Sequence, residues 1–232
     1  MALVKYGGGI IQMSGSLAGN THARNRYGNY IRARTKPINP NTGKQQVVRG
    51  LLATLTAVWS QTLTDAQRIA WNLYASSVAM KNKLGETVHL SGFNHYLRSN
   101  VALMQAGGAR VDAGPTTFEL PGKDSTFAIA ASEAAQELAC TFDDTAEWCD
   151  EDAAHLIVYQ GQPQNPQRNF FDGPWRIIGS VDGDSGTAPT STEAIAGAFV
   201  FTELQRQWAY ARIARADGRL SETFRADCFC AA

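Results

Sequence analysis

The first 64 residues of this 232-residue chain contain no aspartate and no glutamate. The same stretch holds Lys5, Arg24, Arg26, Arg32, Arg34, Lys36, Lys44 and Arg49, a net charge of +8. The whole chain has 21 basic and 21 acidic residues, so the remainder carries 13 against 21, or −8. Net neutrality therefore hides an electropositive leader and an acidic body, and such a leader implies an acidic partner. Long apolar runs are missing too. None approaches the ~18 residues that span a bilayer, which excludes a hydropathy-type membrane helix. The opening Met1–Gly7 lacks the apolar core of a signal peptide, so the expectation is synthesis in the cytoplasm without secretory export.

Cysteine is absent from the first 139 residues. The four present, Cys140, Cys149, Cys228 and Cys230, lack the paired C-x₂-C knuckles of a zinc ribbon or finger. They read as buried reduced thiols, with a disulfide or a metal site as the alternatives. Catalytic signatures are also missing. Gly15–Asn20 lacks the lysine and the length of a phosphate loop, and there is no G-x-S-x-G elbow and no H-E-x-x-H. His89 and His95 flank a helix start at a spacing poor for a metal, so each reads as a lone histidine. No pair of carboxylates is singled out as a glycosidase pair. The expectation is a non-enzymatic protein with no cofactor and no metal.

Residues 1–40 are rich in Gly, Asn and Arg and poor in large apolar groups. Such a segment cannot bury enough surface to fold alone and is expected to be an extended basic arm ordered by a partner. Asn25–Asn29 reads as a turn, so Thr21–Arg24 and Tyr30–Arg34 are expected to pair as a hairpin. Alternation would place Tyr30, Arg32 and Arg34 on one face. The candidate partner-binding residues are Arg24, Arg26, Tyr27, Tyr30, Arg32, Arg34 and Lys36. They suit carboxylates of a neighbouring subunit, with nucleic-acid phosphates and bases as the second possibility.

Residues 41–108 read as a unit of three helices. Asn41 and Thr42 are candidate caps for a helix whose stripe is Val48, Leu51, Leu52, Leu55, Val58 and Trp59. Thr64-Asp65-Ala66-Gln67 is a capping box opening a second helix with Ile69, Ala70, Leu73 and Tyr74 as its apolar face. Ser91 caps a third with Phe93, Tyr96, Leu97, Val101 and Met104, ending at Gly107-Gly108. The first two helices mimic a helix-turn-helix, but the second offers only Arg68, which argues against groove reading.

Residues 109–117 read as a linker, with Gly114-Pro115 at its centre. In 118–232 the period changes to two. Strand candidates are Leu138–Phe142, His155–Gln160, Trp175–Val181, Ala198–Leu204, Gln207–Ala214 and Thr223–Cys230, and Asp182–Asp184 and Asp217-Gly218 are turn signals. Six or seven short strands suggest an antiparallel β-sandwich, making the chain α+β. The acidic run Asp143, Asp144, Glu147, Asp150, Glu151 and Asp152 lacks the order of an EF-hand and reads as a solvated loop, with a cation site as the alternative. Phe170, Phe171 and Trp175 form a candidate recognition loop.

Two resemblances add to this reading. Trp208–Ser221, an alternating aromatic and basic strand followed by a Gly-containing turn, resembles the penultimate strand and turn of a fibronectin type III domain. Gly15–Asn20, Arg24–Arg34, Pro37–Thr42, Leu63–Asn72 and Leu90–Asn94 resemble a recurrent pattern in largely uncharacterised proteins of tailed phages and prophages. That resemblance covers roughly residues 15–105 and implies a virion structural protein, associated with capsid, head–tail junction or tail. Its expected partners are other virion proteins and copies of itself. A host-surface binding module and a DNA-associated particle protein are the competing expectations.

Overall fold

The computed structural model describes residues 2–25, 28–36, 38–81 and 86–232. The chain divides into two compact units, Met1–Gln45 and Gln46–Ala232.

The first unit contains a small antiparallel sheet of β1 (Ala2–Leu3), β2 (Gly15–Leu17), β3 (Asn20–Asn25) and β4 (Gly28–Ala33) in the order β1-β4-β3-β2. The expected hairpin is β3–β4, registered Thr21↔Arg32 and Asn25↔Gly28, and sequence reasoning missed the two flanking strands. The expected turn residues Arg26 and Tyr27 lie outside the described residues. None of the described side chains in 2–45 is buried.

The second unit carries α1 (Gly43–Gln61, entering from the first unit), α2 (Asp65–Ser77) and α3 (Gly92–Gln105), with β5 (Met80–Lys81) and β6 (Thr87–Val88) as a short hairpin between α2 and α3. Capping chemistry starts each helix where the sequence placed it. Thr42 and Gln45 exchange side chain-to-backbone bonds before α1. Thr64 and Gln67 complete a reciprocal box before α2, and the Ser91 hydroxyl accepts from Asn94 N–H before α3. The buried face of α2 differs from expectation. It consists of Trp71, Tyr74 and Ala75, whereas Ile69 and Leu73 are 65% and 52% exposed. The reason is aromatic packing. Trp71 and Tyr96 cross edge-to-face at 5.6 Å and Trp59 meets Tyr96 at 5.4 Å, so the large rings set the rotation of the helix. Where α2 and α3 approach, a β-carbon on Gly92 would overlap the Asn72 backbone, so only glycine fits there.

Seven strands follow: β7 (Ala128–Ser132), β8 (Glu137–Thr141), β9 (His155–Gly161), β10 (Trp175–Asp182), β11 (Glu193–Ala196), β12 (Arg206–Ala214) and β13 (Phe224–Ala231). They form one mixed sheet in the order β10-β9-β12-β13-β7-β8-β11. All pairings are antiparallel except a short parallel one, Cys230↔Ala131 and Ala231↔Ser132. The two edge strands β10 and β11 come close together, so the sheet is nearly barrel-like. Among the described residues the architecture is α+β, with three helices and a large mixed sheet.

One strand expectation and one turn expectation fail. Ala198–Leu204 is a loop, because the Gln136 amide brackets the Phe201 backbone, donating to its carbonyl (2.8 Å) and accepting from its N–H (3.2 Å). The edge position goes instead to β11, paired with β8. Asp182–Asp184 is not a hairpin turn, since β10 and β11 lie at opposite ends of the sheet order and this segment begins the crossing between them.

One core fills the sheet interior, with Leu138, Cys140, Trp148, Leu156, Val158, Ala209 and Ala211 among its members. A second sits among the helices around Leu55, Trp71, Tyr74 and Tyr96. A third joins Ala102 and Leu103 of α3 to Ile157 and Ala214 of the strands and to Leu220 in the β12–β13 connection. The expected linker is pinned at this junction. Asn100 bonds both the N–H and the carbonyl of Val111, and the Trp71 indole donates to the Asp112 carbonyl at 3.0 Å. Arg98 donates to the Leu220 and Ser221 carbonyls at 2.7 and 2.6 Å.

His95 is fully buried on α3, edge-to-face with Tyr74. Burial first, then the nearby Arg98 charge, lowers its pKa to about 4. The unfolded chain protonates this imidazole near pH 6.5, so its neutral form stabilises the fold fully above that pH and less as pH falls towards 4. The loss is on the order of 3 kcal/mol at its full extent. Urea titrations at pH 7.5 and pH 5 are expected to show a lower midpoint at pH 5, and the difference is expected to shrink in His95→Phe. An equal difference in both proteins would show that His95 stays accessible to protons.

Candidate functional site

Two surfaces contain the sequence-derived candidates, the arm sheet and the loop after β9. In the arm, strand register sorts the cations. Residues directly opposite across an antiparallel ladder share a face, which groups Leu3, Tyr30, Ala23, Arg32, Thr21 and Ser16 on one side. Arg24, opposite Asn29, belongs to the other side and donates to Gln12 at 3.4 Å. Tyr30 and Arg32 thus share the expected face, whereas Arg24 does not join them. Arg34 lies one residue past β4, its N–H extending the ladder to the Gly19 carbonyl at 2.9 Å. Arg24, Arg32, Arg34 and Lys36 are exposed and Tyr30 is half-buried, while Arg26 and Tyr27 lie outside the described residues. Large apolar side chains stand exposed among these cations: Leu3, Ile10, Ile11, Leu17 and Ile38. The unit contains no carboxylate to neutralise its arginines.

The loop behaves differently from expectation. Phe170 is 69% exposed, but Phe171 is only 2% exposed and Trp175 is half-buried. The segment folds back over the outer face of β12 and β13. Phe171 packs edge-on against Trp175 at 4.9 Å, and Trp175 against Tyr210 at 4.9 Å. Tyr210 in turn stacks on Tyr159 at 4.4 Å. Gly161 makes this possible, because a β-carbon there would overlap the edge of the Phe171 ring.

Two arginines outside the sequence-derived set hold the loop. Arg206 donates to the Arg168 carbonyl (3.0 Å) and Asn169 Oδ1 (2.8 Å), pairs with Asp227 at 2.7 Å and lies over the Trp208 ring. Arg225 reaches Asp172 at 3.2 Å and covers the Trp175 ring. The alternation Arg206-x-Trp208-x-Tyr210-x-Arg212 on one strand was the available signal. Phe171 and Trp175 therefore anchor the loop, and Phe170 alone of the three is presented to solvent.

Of the acidic run, Asp150 is exposed and the other five carboxylates have internal partners. Glu147 and Glu151 bind Arg215, Asp144 accepts from Ser191 N–H, Asp152 accepts from Ser185 N–H, and Asp143 accepts from Thr145. Those bonds hold the Asp143 and Asp152 carboxyls below the usual range. Among the described residues no group of three metal-type ligands converges. All four cysteines are unbonded thiols, and burial raises Cys140 to about 12 and Cys149 and Cys228 to about 11, which makes them poor nucleophiles at neutral pH. No described helix is long and apolar enough to cross a membrane.

Gly161→Ala is expected to lift Phe171 from the sheet, cost about 1–3 kcal/mol and open the loop to trypsin after Arg168. Limited proteolysis with a parallel thermal melt tests this, and an unchanged cleavage rate would mean the ring is not seated there.

No family model, no curated protein and no solved structure matches the chain.

Proposed function

We propose that this chain is a non-enzymatic structural protein of a tailed-phage particle, assembling through its N-terminal arm and helical unit. The observation that carries the reading is the arm: an acid-free sheet of four strands whose described side chains include none that is buried. The arm exposes Arg32, Arg34 and Lys36 and also Ile10, Ile11 and Ile38, so it gains both charge neutralisation and apolar burial from a neighbour. The resemblance to phage and prophage proteins over residues 15–105 supports the same reading, and its setting would be the assembled virion. The expected partners are other virion proteins and copies of this chain.

The strand region is read as a fibronectin III-like sandwich. In that reading β7, β8 and β11 form one layer and β10, β9, β12 and β13 the other, joined by the two-residue parallel pairing of β13 with β7. The strand order and the Trp208–Ser221 strand and turn support it.

Deleting residues 2–40 is expected to leave a folded body with a melting temperature within a few degrees of the full chain. That body would no longer enter particles. Mass spectrometry of purified virions checks this, and normal incorporation of the truncated chain would overturn the proposal. Duplex DNA is the other acidic surface that Arg32, Arg34 and Lys36 fit. It requires binding that weakens steeply between roughly 50 and 200 mM salt, which a fluorescence titration of the full chain measures.

A further inference from the structure

Two features of the body complement one another. The first is a groove of about 420 Å³ where α1, α3 and the outer face of the strands meet. Val48 and Leu52 of α1 and Leu97 and Val101 of α3 line it, together with Arg98 and Arg212. Arg98 donates to two backbone carbonyls, and Arg212 Nε is buried without a hydrogen-bond partner among the described residues. The carboxylate in the field of Arg98, Glu222, is bonded to Lys123 at 2.7 Å. Burial first, and then the charge of Arg212, draws the pKa of Arg98 down to about 10. An apolar groove thus holds two neighbouring guanidinium groups, neither of which has a carboxylate salt-bridged to it among the described residues.

The second feature is a ridge on α2. Asp65, Ile69 and Leu73 follow one another at a spacing of four, which puts them in one line along the helix. Ile69 and Leu73 are 65% and 52% exposed. The Asp65 side chain is 87% exposed, and its partner Arg68 is a surface i,i+3 pair of the kind that contributes little. The ridge therefore presents one carboxylate followed by two aliphatic side chains. The groove presents aliphatic walls and guanidinium groups in need of a carboxylate.

We propose that the α2 ridge of one copy seats in the α1–α3 groove of the next, with Ile69 and Leu73 against the aliphatic walls and Asp65 facing Arg98 and Arg212. The inference rests on the reading that copies of this chain assemble with one another. Because the contact joins two different patches, it is head-to-tail, and successive copies close into a ring or extend as a filament.

Sedimentation velocity of the full chain between about 1 and 100 µM tests it with one variant on each side. Leu73→Arg places a cation on the ridge opposite the two arginines, and Leu52→Glu puts a carboxylate in the groove ahead of Asp65. The wild type is expected to self-associate, and each variant alone is expected to be monomeric, with contact roughly 100-fold weaker. Leu73→Arg keeps an intact groove and Leu52→Glu keeps an intact ridge. An equimolar mixture is therefore expected to form a 1:1 dimer and nothing larger.

Ile69→Arg and Val48→Glu replace either variant that fails to show the wild-type circular dichroism spectrum. A wild type that stays monomeric over this range overturns the inference, as when the chain's own arm or a different protein fills the groove. Variants that assemble like the wild type, or monomeric variants that do not pair, overturn it as well. If the wild type is monomeric while particle incorporation still depends on residues 2–40, the inference fails and the proposed function stands. Loss of both results removes both.

Discussion

Helix α3 holds the body together, because it is buried on two sides at once. Its Tyr96 side belongs to the aromatic core with Trp71 and Tyr74, and its Ala102 and Leu103 side belongs to the core shared with Ile157, Ala214 and Leu220. A helix that serves two cores buries most of its circumference, polar Ser99 and Asn100 included, and leaves only the Asn94, Leu97 and Val101 side open to the groove. Polar groups in such a place need partners. Asn100 takes both backbone groups of Val111, and Arg98 takes two carbonyls at the β12–β13 end, so the strands and the helices share polar bonds as well as apolar contact. The segment after α3 is consequently held against the helices at Val111 and Asp112.

The two units follow opposite physical regimes. The body pairs many of its carboxylates with internal donors such as Arg215, Ser185 and Ser191, and it buries Cys140, Cys149 and Cys230 together with nine aromatic side chains. The arm has hydrogen-bonded strands but no buried side chain among its described residues, so backbone pairing sets its shape while Arg32, Arg34 and Lys36 stand exposed. Strand pairing without a core is marginal in water.

The sequence showed local structure well and long-range structure less well. Thr64–Gln67 and Ser91 announced their helices, because a cap is satisfied by residues three apart and nothing distant can change it. Strands with clean alternation, such as Glu137–Thr141 and Arg206–Ala214, were legible for the same reason. What could not be read was rotation and partnership. Ile69 and Leu73 have the right period for a core face, but the size of Trp71 turned α2 the other way. Ala198–Leu204 has strand composition, but the Gln136 side chain, more than sixty residues away in sequence, claimed its backbone. At the candidate site, the arm's charge bias was plain from composition, whereas the division of Arg24 from Arg32 depends on register, which a sequence does not display. Phe171 looked like a surface aromatic because Gly161, the residue that makes room for it, lies ten positions earlier on a different element.

That same pairing of Phe171 with Gly161 gives the long excursion between β9 and β10 a fixed far end and a tolerant near end. Between them, Gln162–Gln167 runs over the surface, laddered to Arg206 at Gln164 and turned at Asn165, whose carbonyl and side chain accept from the Arg168 and Gln167 N–H groups. Extra residues placed after Pro166 would open that turn and lengthen the excursion without touching the anchored ring, since a doubling of loop length costs only about 0.6 kcal/mol in closure entropy. The protein thereby carries a natural insertion point, where a foreign epitope could be displayed while the sheet beneath it stays closed.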